Sequence, residues 1–144
     1  MEQDSAFLAS LVSTQIQGKG RSVSTERLIA VVDDDDSFRV ALVESLFSLG
    51  YDARGFASAE EFLAVDGPEP YGCIITDIHM SGMSGFDLKQ RLLARDSILP
   101  VIMITADAEP ELEARAAAVG AVDLLRKPFE AETLTACLER ALKV

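Results

Sequence analysis

Four consecutive aspartates, Asp33–Asp36, directly follow a short apolar run, Leu28–Val32. The run is uninterrupted and contains β-branched residues, which is typical of a parallel strand buried on both faces. In open α/β folds, ligands bind beyond the carboxyl ends of the strands. Because neighbouring carboxylates repel one another, a cluster at this position favours a divalent cation such as Mg²⁺ as its counter-ion. Part of the cluster, Asp35 or Asp36, is also expected to act only as an acidic helix start.

The composition indicates a single acidic globular domain. The chain has 144 residues, a formal net charge of −11 and 49% hydrophobic residues. This charge disfavours direct binding to nucleic acid or to an anionic membrane, and no apolar stretch is long enough to cross a bilayer. The N-terminus lacks the pattern of a signal peptide, so we expect a cytoplasmic protein. Cys73 and Cys137 lack metal-ligand spacing and are expected to be small core residues in a reducing compartment.

Strand-like and helix-like segments alternate along most of the chain. The predicted strands are Leu28–Val32, Tyr51–Phe56, Gly72–Thr76, Pro100–Ile104 and Val122–Leu125. The predicted helices are Ser37–Leu49, Ser58–Val65, Gly85–Arg95, Glu109–Val119 and Glu130–Leu142. Repeated βα units of this length predict an α/β fold, a doubly wound five-stranded parallel sheet with helices on both faces.

The first 26 residues differ from the rest of the chain. Residues 1–26 are rich in Ser, Gln and Gly, and they precede the domain that we expect at 27–144. Five apolar residues in this extension follow helical spacing: Phe7, Leu8, Leu11, Val12 and Ile16. The extension is therefore expected to be either flexible or a short docking helix.

Polar side chains follow four of the predicted strands, and the carboxyl ends of these strands meet at one edge of such a sheet. The strand ends carry Asp33, Asp34, Asp77, Thr105 and Lys127. Phosphoryl transfer needs a small set of groups, and these residues can supply all of them. The acids can hold Mg²⁺, the Lys and the Thr can contact phosphoryl oxygens, and one carboxylate can act as the nucleophile. Each residue alone has an ordinary structural explanation. Their joint placement favours a phosphoryl-transfer site.

These residues resemble the pattern of a response-regulator receiver domain of two-component signalling. The matching motifs lie within Leu28–Leu142 and are Val31-Val32-Asp33-Asp34, Thr76-Asp77-Ile78-His79-Met80, Ser84-Gly85, Thr105-Ala106 and Lys127-Pro128-Phe129. The resemblance implies a flavodoxin-like sheet with strand order 2-1-3-4-5. It also implies that Asp77 accepts a phosphoryl group from the phosphohistidine of a histidine kinase or of a phosphotransfer protein.

The resemblance further implies the roles of the other site residues. Asp33, Asp34 and Asp77 would bind Mg²⁺ together with the backbone carbonyl of His79. The His79 side chain is interpreted only as a loop group near the site, because a lone histidine without partners supports neither metal ligation nor general-base catalysis. Phosphorylation would change the surface presented to a downstream protein target, with a phosphorylation-dependent homodimer as one form of output. Such a domain is a switch with only weak autophosphorylation and autodephosphorylation, not an enzyme.

Two further implications concern strands four and five. Thr105 would bond to the phosphoryl group and report its presence, and Lys127 would pair with the group. The Lys127–Pro128 peptide bond would be cis, which proline permits at low cost.

The chain departs from the family pattern at two positions. Ser81 replaces the usual Pro after Met80, which predicts a less rigid loop without the loss of a ligand. Leu124 stands where the family usually has a Tyr or Phe that rotates on activation, so the usual readout is not expected.

Several alternatives remain open from the sequence. A phosphohydrolase of the haloacid-dehalogenase type would need a second acid where His79 stands, and a flavodoxin-type carrier would bind its phosphate poorly beside four aspartates. A phosphorylation-independent pseudo-receiver that acts as an interaction scaffold is kept open by Leu124. The run Phe56–Leu63 resembles receivers that precede LuxR-type DNA-binding domains, and none follows Val144. We therefore expect either a single-domain regulator or the receiver fragment of a DNA-binding regulator.

Overall fold

The computed structural model describes residues 28–65, 71–107 and 109–143. In these ranges strands and helices alternate as β1 Leu28–Val32, α1 Asp36–Ser48, β2 Asp52–Phe56, α2 Ala59–Ala64, β3 Cys73–Asp77, α3 Gly85–Ala94, β4 Val101–Thr105, α4 Pro110–Ala118, β5 Asp123–Arg126 and α5 Ala131–Leu142. Every predicted strand and helix is confirmed, and its ends differ from the prediction by no more than one residue. The predicted extension, residues 1–26, lies outside the described residues.

The strands form one parallel sheet in the order β2-β1-β3-β4-β5. This order confirms the predicted doubly wound, flavodoxin-like fold. The order reverses between β1 and β3, and ligands of such folds bind beyond the strand ends at this switch point. Asp33 directly follows β1 and Asp77 is the last residue of β3, so both lie at that point.

Two apolar layers cover the two faces of the sheet, because consecutive strand residues point to opposite sides. On one face, Ile29, Ile75 and Ile104 belong to a cluster that also contains buried residues of α1 and α5. On the other face, Ala30 and Met103 belong to a cluster that contains buried residues of α2, α3 and α4. The prediction of helices on both faces is thereby confirmed.

Both cysteines are buried free thiols, as predicted. Burial raises the pKa of Cys73 to about 12 and, as the largest of several causes, that of Cys137 to about 11. Thiols with such values stay protonated near neutral pH and pack as small apolar groups. Among the described residues, no helix combines the length and apolar character needed to cross a bilayer.

Helix α3 carries a lysine on its core-facing side. Lys89 is 6% exposed, and burial lowers its pKa. Its stem lies beside Gly120, where an added Cβ would be 3.7 Å from the Lys89 Cε. The charged form is thus disfavoured in the folded state. We expect Lys89→Met to raise the free energy of unfolding at neutral pH by about 1 kcal/mol, because an apolar chain is kept and an ammonium group whose charged form burial disfavours is removed.

Urea unfolding at neutral pH measures this difference, with Lys143→Met as the matched control because Lys143 is exposed. The control should change stability by less than about 0.5 kcal/mol. A Lys89→Met protein that is less stable than the wild type would show that the ammonium group makes a net favourable contact.

Candidate functional site

The register of the sheet brings the predicted site residues to one edge. β1 and β3 are adjacent, so Asp33 lies next to the end of the strand that carries Asp77. Asp77 is in register with Ile104 of β4, and Thr105 is the last residue of that strand. The backbone N–H of Lys127 donates to the carbonyl of Thr105 at 2.8 Å and so continues the pairing of β4 with β5. The Lys127–Pro128 peptide bond is cis, as the resemblance implies.

Three carboxylates form an acidic cluster at this edge. Ligand oxygens of Asp33, Asp34 and Asp77 all lie within 4.8 Å of one another. Asp33 is fully buried, Asp77 is 8% exposed and Asp34 is exposed. A set of carboxylate oxygens with one open side fits a hard cation such as Mg²⁺, which is bound by one or two carboxylates and keeps several waters. The cluster can therefore hold a metal ion.

Lys127 supplies a positive charge between two of these acids. Its Nζ lies 3.1 Å from Oδ2 of Asp33 and 3.3 Å from Oδ2 of Asp77, and its side chain is 17% exposed. Nζ also lies 4.0 Å from the centre of the Phe38 ring, and this ring packs edge-on against Phe129. A cation over an aromatic face is stabilised by the ring's negative surface. The ammonium group is thus held in place on two sides.

Burial and the neighbouring charges shift two pKa values in the site. Burial and then the charge of Asp33 raise the pKa of Asp77, although Lys127 acts in the opposite direction. For Lys127, burial acts to lower the pKa, but the bonds and charges of Asp33 and Asp77 outweigh it and the pKa is raised. Lys127 is therefore a stable cation, while ionised Asp77 is less favourable than an ordinary surface carboxylate.

The backbone after Asp77 turns tightly around its carboxylate. The N–H of His79 donates to Asp77 Oδ1 at 3.3 Å, and the N–H of Gly85 donates to the carbonyl of Ile78 at 3.0 Å. A Cβ at Gly85 would lie 2.5 Å from the Asp77 carbonyl oxygen, so this close approach requires glycine. Ser84 closes a capping box with Asp87 and begins α3 at that glycine.

The rim of the site contains a contact between two loops. His79 Nε2 lies 3.0 Å from Asp107 Oδ2, and both side chains are about half exposed (56% and 50%). Thr105 is 1% exposed, and its Oγ1 accepts a hydrogen bond from the Asp107 N–H at 3.0 Å. The hydroxyl proton of Thr105 can still be donated. The His79 side chain thus lies near the site, as interpreted from the sequence, and its partner is Asp107.

Two of the four consecutive aspartates serve the start of α1. The Asp35 side chain accepts a hydrogen bond from the Phe38 N–H at 3.1 Å and caps the helix. Asp36 lies in the first turn and pairs with Arg39 at 2.7 Å. The expectation that Asp35 or Asp36 acts as a helix start is confirmed. Arg39 also donates to the Asp33 carbonyl at 2.7 Å and so ties the helix to the site.

Some residues of the site were not found from the sequence. Phe38 lies within the predicted helix Ser37–Leu49, and nothing in the sequence links it to Lys127. Asp107 and Arg39 are ordinary charged residues in sequence terms. Ser81 was expected only to loosen its loop, but its N–H donates to Asp34 Oδ2 at 3.0 Å. The spacing of Asp107, two residues after Thr105, is the one signal that could have placed it near the site.

Comparison with known proteins agrees with this geometry. Residues 29–139 match the family model of the response regulator receiver domain. The chain therefore belongs to the response regulator receiver domain family.

Its relatives include longer regulatory proteins. The transcriptional regulatory protein FixJ of Bradyrhizobium diazoefficiens is 36% identical over 121 residues, covering 84% of this chain and 59% of FixJ. The transcriptional regulatory protein TdiR of Thauera aromatica is 37% identical over 114 residues, covering 79% of this chain and 50% of TdiR. The chain thus matches between 50% and 59% of the length of these relatives.

Solved structures show the same fold. The crystal structure of FixJ-N has a TM-score of 0.73 and 31% identity, and the match covers 85% of this chain and 95% of FixJ-N. The Vibrio cholerae chemotaxis protein CheY4 has a TM-score of 0.74 and 30% identity, with 83% of this chain and 99% of CheY4 covered.

Proposed function

We propose that this receiver domain is the phosphoacceptor switch of a two-component phosphorelay, with Asp77 as the accepting residue and Mg²⁺ as the cofactor. The observation that carries the proposal is the position of Lys127, whose ammonium group contacts both Asp33 and Asp77 at the open edge of the sheet. A carboxylate nucleophile beside a fixed cation and further acids is the arrangement that phosphoryl transfer uses.

In the proposed reaction, a carboxylate oxygen of Asp77 attacks the phosphorus of a phosphohistidine on a histidine kinase or phosphotransfer protein. The new O–P bond forms an acyl phosphate, the P–N bond breaks, and the imidazole leaves with its electron pair and takes up a proton. Lys127 keeps the nucleophile in place and stabilises negative charge on the transferred group, and Thr105 donates its hydroxyl proton to a phosphoryl oxygen.

The metal completes the charge balance of the site. Asp33, Asp34, Asp77 and the backbone carbonyl of His79 would hold Mg²⁺. Bound there, the ion supplies positive charge to the phosphoryl oxygens. The protein's output is the phosphorylated state itself, so only slow autophosphorylation and autodephosphorylation are expected of the isolated chain.

The acceptor can be tested with acetyl phosphate and Mg²⁺. We expect the wild type to gain one phosphoryl group and Asp77→Asn to gain none, as measured by intact-protein mass spectrometry. Asp96→Asn is the matched control, because Asp96 is exposed and its positive φ of 58° is tolerated by asparagine. The control should be labelled like the wild type. Labelling of Asp77→Asn at the wild-type level would refute the proposal.

The output is proposed to run through Thr105 and the face formed by α4, β5 and α5, with a downstream protein target or a second copy of the domain as partner. Arg140 of α5 donates to Asp123 of β5, with its Nε at 2.9 Å, and joins two of these elements. Leu124 is partly buried and packs against the cluster that contains α4. Leu124 has no polar tip. We therefore expect a smaller structural difference between its buried and exposed orientations than a tyrosine would give.

We therefore expect Leu124→Tyr to strengthen phosphorylation-dependent dimerisation by on the order of 1 kcal/mol, or about fivefold. Sedimentation with and without beryllofluoride, which mimics the phosphoryl group, measures the change. Val122→Tyr is the control, because Val122 lies just before β5 and is 37% exposed. A large shift in the wild type that Leu124→Tyr leaves unchanged would contradict this account of the readout.

One alternative is a phosphorylation-independent receiver that acts as an interaction scaffold. The presence of Leu124 supports this alternative. The labelling experiment separates the two functions. We further propose that the domain acts in the cytoplasm without direct contact with nucleic acid or membrane, in keeping with its net charge of −11.

A further inference from the structure

We infer that Ser81 is a positioning residue for the Asp34 carboxylate and that its backbone N–H sets the affinity of the site for Mg²⁺. The inference rests on the proposed metal-dependent function and concerns a residue at which this chain departs from the family pattern. The Ser81 N–H donates to Asp34 Oδ2 at 3.0 Å, and the Ser81 hydroxyl lies 3.4 Å from the same oxygen.

Asp34 depends on this contact more than the other two acids depend on theirs. Asp33 is fully buried and accepts bonds from Lys127 and from the Asp35 N–H at 2.9 Å. Asp77 is held by Lys127 and the His79 N–H. Asp34 is exposed, and within the part of the chain that the structure describes its side-chain hydrogen bonds both come from Ser81.

The backbone N–H is the stronger of the two donors. Its distance of 3.0 Å is ordinary for an N–H···O bond, whereas 3.4 Å is long for a hydroxyl. Proline, the residue usual at this position, has no N–H and cannot make the bond. Ser81 therefore adds a charge-assisted contact at the metal site in addition to any effect on loop rigidity.

The loop that carries Ser81 is also held from α2. The N–H of Met83 donates to Glu60 Oε2 at 3.0 Å. Gly82 has a φ of 84°, and a Cβ there would lie 2.9 Å from the same carboxylate oxygen. Glu60 thus holds the two residues that follow Ser81 in the loop. It helps to fix the Ser81 N–H without belonging to the acidic cluster.

This arrangement prepares Asp34 for a cation. The bond from Ser81 to Oδ2 orients the Asp34 carboxylate, one oxygen of which lies within 4.8 Å of ligand oxygens of Asp33 and Asp77. A ligand that is already oriented loses less rotamer freedom on binding. We expect Ser81→Pro to raise the dissociation constant for Mg²⁺ by roughly fivefold, in keeping with the loss of one typical hydrogen bond at an exposed position. Glu60→Ala should weaken binding in the same direction and by less.

The test is a calorimetric titration of the metal-free full chain with Mg²⁺, without any phosphodonor. Ser81→Ala is the matched control, because it keeps the N–H and removes the hydroxyl. Its dissociation constant should stay within about twofold of the wild type. Equal affinity of Ser81→Pro and wild type, or a fivefold loss in Ser81→Ala, would overturn the assignment to the N–H.

A second measurement keeps the inference testable if Ser81→Pro does not fold. Amide hydrogen exchange without metal should show protection of the Ser81 N–H in the wild type and its loss in Asp34→Ala. Equal exchange in the two proteins would overturn the inference. If the wild type binds no Mg²⁺, the proposed function is contradicted. If the wild type and Ser81→Pro bind Mg²⁺ with equal affinity, only the inference is contradicted.

Discussion

Replacing Lys127 with methionine is expected to lower the free energy of unfolding by about 3 kcal/mol in the absence of divalent metal, because the change leaves buried carboxylates without their cation. Lys127 Nζ contacts both Asp33, which is fully buried, and Asp77, which is 8% exposed. Methionine keeps an apolar side chain of similar length, so the loss reports mainly on the charge and its contacts with the acids and the Phe38 ring. Urea unfolding in EDTA measures it.

A double variant shows whether the effect arises between Lys127 and the acids. In Asp77→Asn/Lys127→Met one negative charge is removed together with the positive one, so the loss should be smaller than in Lys127→Met alone. Mg²⁺ should also restore part of the stability of Lys127→Met, because the ion binds the folded state. If Lys127→Met unfolds at the wild-type urea concentration in EDTA, the ammonium group does not neutralise these carboxylates.

Asp77→Asn is expected to be more stable than the wild type near neutral pH without metal, by on the order of 1 kcal/mol. Burial and the charge of Asp33 raise the pKa of Asp77 above its ordinary value of 3.8. For a group of this kind, the native state binds the proton more tightly than the unfolded state does. Its contribution to stability is present below pH 3.8 and is lost as the pH rises through the raised native value.

The stability difference between Asp77→Asn and the wild type should therefore increase as the pH rises above 3.8, the ordinary pKa of aspartate. It should become constant once Asp77 is ionised in the native state. Melting temperatures of both proteins in EDTA over this pH range measure the effect, with Asp96→Asn as the surface control. Saturating Mg²⁺ should reduce the difference, since the metal stabilises the ionised acid. An advantage that is greatest at low pH would contradict the sign of the shift.

The fold was predictable because its local and long-range signals agree. The apolar run Leu28–Val32 is short and continuous, and Gly50 and Gly120 mark helix ends with positive φ. Such agreement between periodicity, caps and turns leaves few competing arrangements. The predicted ends of strands differ from the observed ends by up to one residue. For example, β3 and β4 include Asp77 and Thr105, which were predicted to lie just after these strands.

The acidic cluster and Lys127 were predictable for a different reason. A parallel sheet places the residues after its strands at one edge, so sequence position alone brings Asp33, Asp77 and Lys127 together. In the structure, the Lys127 ammonium group donates hydrogen bonds to both Asp33 and Asp77. Sequence reasoning could not assign the order of burial, in which Asp33 is enclosed and Asp34 is exposed.

Contacts that depend on loop geometry were not predictable. The pairing of His79 with Asp107 and of Ser81 with Asp34 joins segments that are far apart in the chain. Neither pair is part of a regular strand or helix register, so periodicity carries no information about it. The contact of Phe38 with Lys127 was not predictable either. The helical spacing of Phe38 is explained by its packing against the core and does not indicate a contact with an ammonium group.

Direct mapping of the phosphorylated residue tests the central claim. The wild type is treated with acetyl phosphate and Mg²⁺ and then reduced with borohydride, which converts an aspartyl phosphate to homoserine. Peptide mass spectrometry then locates the converted position. We expect homoserine at position 77 and its absence when Mg²⁺ is replaced by EDTA. Conversion at Asp33, Asp34 or another residue, with Asp77 unmodified, would contradict the account.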